Sequence, residues 1–126
     1  MLEKGIEKVI LTNVEKNQTA INVGSGSLEV FATPAMIALM EKASALLVQE
    51  FLEDNETTVG TRVNVSHLAA SLGGDEVTIV SKLVDIDKSK LTFYVKAISG
   101  KKLLGEGEHE RFIINSEKFM NKLKGN

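Results

Sequence analysis

The chain has 126 residues, the size of a domain that can bury its own core, and residues 1–126 are expected to form one domain. Hydrophobic residues make up 43% and charged residues 25%, which fits a globular chain and excludes a disordered one. With 15 Lys and Arg against 17 Asp and Glu, the basic excess of a phosphate-backbone binder is missing, and the absence of cysteine removes disulfides, thiolate nucleophiles and Cys-based metal sites.

Metal chemistry would have to rest on His67, His109 and carboxylates, and nothing in the sequence requires a metal or an organic cofactor. The amino terminus has no apolar run behind a basic start, and no stretch approaches the ~20 apolar residues of a membrane span. These features predict a cytoplasmic protein with neither nucleic acid nor membrane as partner.

Ile6, Val9, Ile10, Leu11 and Val14 mark a first strand, and Thr19 to Val23 reads as a second extended piece. Gly24-Ser25-Gly26-Ser27 then breaks the pattern as a loop. Thr33-Pro34 is a helix start, threonine as the cap and proline in the first turn, where no N–H is needed. The helix is predicted to run to about Leu52 and, its apolar residues covering much more than one narrow stripe, to be largely buried, and Glu53 to Glu56 form the turn after it.

From Thr57 the period becomes two, placing Val59, Thr61, Val63, Val65 and His67 on one strand face and Arg62, Asn64 and Ser66 on the other. Three strands follow, Glu76 to Ile86, Leu91 to Ser99 and Lys102 to Ile114, joined by turns short enough for antiparallel hairpins. Ser116 is the expected cap of a last short helix carrying Phe119, Met120 and Leu123. The order predicts an α+β architecture, an antiparallel sheet with one helix on its concave face. Val80, Val84, Tyr94 and Ile98 leave apolar area outside, so a homodimer formed through an edge or face is expected.

Glu41 has no cation three or four residues away on its helix. Such a carboxylate is either a solvated surface group or, if buried, a proton-transfer or hydrogen-bonding group. His67 ends an otherwise apolar strand face. The helix spans ~27 Å at 1.5 Å per residue and the returning strand a comparable length, which brings His67 back level with Thr33. A hydroxyl, an imidazole and a carboxylate form a constellation that activates a nucleophile or a water, and free N–H groups at the helix start favour a developing oxyanion.

Gly60 interrupts a β-favourable strand, as at a bulge or a close backbone approach. His109-Glu110-Arg111 is not a zinc motif. Arg111 suits a carboxylate or phosphate, while Glu106, Glu108 and Glu110 form an acidic row expected to pair with Lys82 and Lys96.

The blocks Phe31 to Ala43, Val59-Gly60-Thr61, Val65 to Ala70 and Gly107 to Arg111 resemble, in order and spacing, the fluoroacetyl-CoA thioesterase-like branch of the hotdog-fold thioesterases. The resemblance implies a hotdog fold, a dimer with active sites near the subunit interface, and acyl-CoA thioester hydrolysis. It implies a catalytic set of Thr33, Glu41 and His67, with Gly60 and Arg111 at substrate-binding positions. Two other readings stay open: a non-catalytic acyl-CoA or small-molecule binding protein, and a hotdog hydratase or dehydratase.

Overall fold

The computed structural model describes residues 1–125. In chain order it contains β1 (Glu7–Asn13), a one-turn helix α1 (Ala20–Val23), the long helix α2 (Thr33–Gln49), β2 (Glu56–His67), β3 (Glu76–Asp87), β4 (Lys90–Ser99), β5 (Lys102–Asn115) and α3 (Ser116–Leu123). The strands form one antiparallel sheet in the order β1-β3-β4-β5-β2, so β1 and β2 are its edges. None of the described helices is long and apolar enough to cross a membrane.

The sheet curves around α2. Met36, Met40, Ala43 and Leu47 of the helix are buried against Val77, Ile79 and Leu83 of β3, Leu91, Phe93, Val95 and Ala97 of β4, and Leu104 of β5. Strict alternation along β3 and β4 delivers this set, because only every second side chain faces the helix. The opposite helix face, with Pro34, Ala38, Lys42 and Leu46, is exposed, so the helix is buried on one side rather than largely enclosed.

The segment expected to be extended at Thr19–Val23 instead caps and forms α1, directly after a 3₁₀ turn at Lys16–Gln18. Local bonds decide this: Thr19 Oγ1 and Asn22 Nδ2 both donate to the Lys16 carbonyl, at 2.9 and 2.5 Å. Gly24 then closes the turn in the left-handed region at φ 90°. The α2 cap is Ala32 rather than Thr33, which is the first helical residue. The helix ends at Gln49, and Phe51 and Leu52 belong to the turn beyond it. At α3 the cap is Asn115, whose Oδ1 accepts from the Lys118 amide at 2.9 Å, one residue before the expected Ser116.

In β2 the expected face holds only in part. Gly60 pairs with Arg111 and Arg62 with Glu110, leaving Thr61 as the extra residue of a bulge. Beyond it Val63, Val65 and His67 face the helix as expected. Before it the inward residues are Thr58 and Gly60, because the extra residue exchanges the two faces.

On the outer face Glu108 pairs with Arg62 at 3.8 Å and Glu106 accepts a hydrogen bond from the Tyr94 hydroxyl, in place of the expected partners Lys82 and Lys96. That hydrogen bond, followed by burial and the Glu106 charge, pushes the Tyr94 pKa up to about 12.

One buried polar contact joins helix to sheet. Ser44 and Ser81 are fully buried, their hydroxyls 2.7 Å apart, and Ser44 donates its proton to the Met40 carbonyl at 2.8 Å, so Ser81 is the donor between them. Ser44→Ala strands the Ser81 hydroxyl and is expected to lower stability by about 1–3 kcal/mol. The Ser44→Ala/Ser81→Ala double variant should lose less than the sum of the two single losses, as read by urea denaturation.

Candidate active site

Two pinned internal segments meet at the start of α2. The segment before the helix is fixed by the Phe31 amide on the Ser71 carbonyl and the Ala32 amide on the Gln18 carbonyl, each at 2.9 Å. On the other side β2 ends at His67, opposite Gly105, and the next amides, Leu68 and Ala69, both donate to the Leu104 carbonyl. A Cβ at Gly105 would stand 2.7 Å from Met36 Sδ, so its absence lets the first turn of α2 settle onto β5.

The result is a hydrogen bond of 2.7 Å between Thr33 Oγ1 and His67 Nδ1. Phe31 lies edge-on to the imidazole, ring centres 6.3 Å apart. Burial pushes the His67 pKa down, against a smaller upward effect of the Ala69 backbone. The ring is therefore neutral at pH 7, and with the proton on Nε2, Nδ1 accepts from the Thr33 hydroxyl. This pair borders an open cleft of about 320 Å³ whose walls include Val30, Phe31, Ala32, Leu68 and Ala69. The free amides of the first helical turn add partial positive charge there.

A second cluster lies further along the same helix. Arg111 is only 8% exposed and each of its three side-chain nitrogens makes a hydrogen bond: Nε to Thr58 Oγ1 at 2.8 Å, Nη2 to the Thr58 carbonyl at 3.0 Å, Nη1 to His109 Nε2 at 3.2 Å. The same Nη1 stands 3.7 Å from Glu41 Oε1, whose side chain is 41% exposed. Gly60 lies against this group, since a Cβ there would come 2.8 Å from Glu41 Oε1 and 3.1 Å from Arg111 Nη1.

The structure thus brings Thr33 to His67, and Glu41 to Gly60 and Arg111, but it does not join the two groups within one chain. Glu41 is eight residues from Thr33, about 12 Å along the axis. Thr58 went unrecognised in the sequence because the strand period put it on the outer face, and the signal that would have found it is Gly60 as the start of a bulge. Among the described residues no group of three or more His, Asp and Glu side chains is arranged to hold a metal ion.

A sheet curled around one long helix is the hotdog fold, and hotdog thioesterases are among its solved neighbours. The fluoroacetyl-CoA-specific thioesterase family model (FlK) matches residues 14–117. The fluoroacetyl-CoA thioesterase of Streptantibioticus cattleyicolor is 38% identical over 96 residues, covering 76% of this chain and 69% of that protein. A solved structure of the fluoroacetyl-CoA thioesterase FlK superposes with a TM-score of 0.93 at 30% identity, over 100% of this chain and 98% of that one. A threonine-to-serine variant solved in complex with acetyl-CoA gives a TM-score of 0.92 at 31% identity, covering 98% of each chain. The chain belongs to the fluoroacetyl-CoA-specific thioesterase family, and with it to the thioester hydrolases.

The added Cβ of Gly60→Ala comes closest to the flexible end of Glu41 and lies 3.1 and 3.2 Å from the Arg111 and His109 side chains, with no backbone among these neighbours, so the fold is expected to survive with the Glu41 carboxylate displaced. Circular dichroism should match the wild type, and if the Glu41 carboxylate serves the reaction, hydrolysis of an acyl-CoA should fall by about tenfold or more.

Proposed function

We propose that the protein is an acyl-CoA thioesterase acting on a small acyl group at a site assembled from two copies of the chain. The observation that carries this reading is the 2.7 Å bond between Thr33 Oγ1 and His67 Nδ1 at a helix start that borders an open cleft. The acetyl-CoA complex of the related enzyme supports an acyl-CoA as the substrate.

His67, neutral through burial, accepts a proton from Thr33 or from a water held by Thr33. The oxygen so activated attacks the thioester carbonyl, and the oxyanion develops against the amides at the start of α2. Collapse of the intermediate expels the CoA thiolate, which takes up a proton. The water route yields the acid directly, whereas the covalent route adds hydrolysis of a threonyl ester. Persistent failure to trap an acyl adduct on Thr33 or Glu41 in quenched reactions would select the water route.

Glu41 joins this set from the partner copy. β2 is an edge strand, and its exposed Val63 lies midway between Gly60 and His67. A two-fold axis beside Val63 and Asn64 would pair β2 antiparallel with its own copy and set His67 of one chain opposite Gly60 of the other. Glu41 and Arg111, which sit at Gly60, then face Thr33 and His67 across the interface. The missing side chain at Gly60 leaves room for the thioester end of the substrate, bordered by Arg111 Nη1. The reading includes a cytoplasmic homodimer that needs no cofactor.

Release of free thiol from short, branched, aromatic and fluorinated acyl-CoAs tests the function. His67→Ala should remain folded and lose about 10²–10⁴-fold in kcat, the usual contribution of a general base. An enoyl-CoA that loses its double-bond absorbance without releasing thiol would instead identify a hydratase, and binding without turnover a binding protein. The pH dependence has a definite sign. Because burial lowers the His67 pKa, the basic form persists below the ordinary histidine range. The acid limb of kcat/KM should therefore lie at lower pH than an ordinary histidine would give.

A further inference from the structure

His109 has the environment of a core residue and the bonding of a polar one. It is 1% exposed, stacked on Phe93 with ring centres 6.0 Å apart and planes inclined by 29°. Its Nδ1 stands 2.8 Å from the Arg62 carbonyl, which can only accept, so Nδ1 carries the proton. Nε2 is then a bare acceptor, and Arg111 Nη1 donates to it at 3.2 Å. That nitrogen of Arg111 is the one facing Glu41 Oε1. The carbonyl that fixes the tautomer belongs to the residue just after the bulge.

We propose that His109 is a positioning residue: anchored on the Arg62 carbonyl, it holds Arg111 Nη1 where that nitrogen sets the carboxylate of Glu41 for thioester hydrolysis. The inference rests on the thioesterase reading, in which Glu41 serves the reaction. Thr58 binds Nε and Nη2 on one side of the planar guanidinium, and among the described residues His109 supplies the one buried acceptor on the Nη1 side, where the only other partner is the half-exposed Glu41. An apolar side chain at position 109 would preserve the stack on Phe93 and lose the acceptor. Burial, the largest influence, keeps the His109 ring neutral, and Arg111 adds to it, against the Arg62 carbonyl, Glu41 and Glu110, which favour the charged form. A neutral ring is what an acceptor facing a guanidinium must be.

Two substitutions separate the anchor from the acceptor. His109→Asn retains a donor near the Nδ1 position and removes the Nε2 acceptor, whereas His109→Gln places a carbonyl oxygen near Nε2 and gives up the donor. Both are measured by thiol release and by nitrogen NMR of the Arg111 side chain. His109→Asn should leave KM within about twofold, lower kcat about tenfold or more and speed the exchange between the two Arg111 Nη signals, since Thr58 alone then restrains the guanidinium, and His109→Gln should restore most of kcat and the slow exchange.

Wild-type kcat and unchanged Arg111 signals in His109→Asn would overturn the proposal. Equal losses in both variants, following their stabilities, would also overturn it, because that is the pattern of a purely structural histidine. A wild-type protein that releases no thiol from any acyl-CoA refutes the thioesterase reading, while the Arg111 signals still decide whether His109 positions the guanidinium.

Discussion

The site depends on one irregularity in one strand pair, the bulge at Gly60 and Thr61 in β2. Without the extra residue the alternation of β2 against β5 would carry either Thr58 and Gly60 or Val63, Val65 and His67 to the helix side, but not both. With it, one strand supplies the support for Arg111 at its beginning and the imidazole for Thr33 at its end. The bulge also sets the Arg62 carbonyl on the His109 ring.

The two half-sites are built by different physics. Thr33 and His67 are held by backbone bonds in the segments that flank them, with an apolar cleft and a helix terminus beside them. Arg111 is held inside the protein by Thr58 and His109, an arrangement in which a buried cation keeps hydrogen-bonded partners and one outward-facing carboxylate. The half-exposed Glu41 and the unpaired edge of β2 are what a single chain leaves incomplete, and pairing of two such edges would cover both.

Much of the fold was legible because long stretches of β3 and β4 alternate strictly. The limits of β3, β4 and β5 can be read from the sequence to within a residue, and the matched lengths of α2 and β2 place His67 beside Thr33. What could not be read was local. Thr19 to Val23 has the apolar spacing of a strand, yet Ile21 and Val23 point outward from a short helix fixed by side-chain bonds to the Lys16 carbonyl. Thr33-Pro34 reads as cap and first residue, but the Thr33 hydroxyl serves His67 and the cap falls to Ala32. The bulge broke the period at the place where Thr58 and the surroundings of Arg111 had to be inferred. The separation of Glu41 from Thr33 follows from the rise of a helix, and it is the reason a second chain enters the account.

Subunit complementation tests that account most directly. His67→Ala and Glu41→Gln homodimers, each inactive alone, are mixed and allowed to exchange subunits. If each site takes Thr33 and His67 from one chain and Glu41 from the other, half of the random dimers contain one intact site. The mixture then regains about a quarter of the wild-type rate. No recovery after exchange has been verified by mass would contradict the shared site.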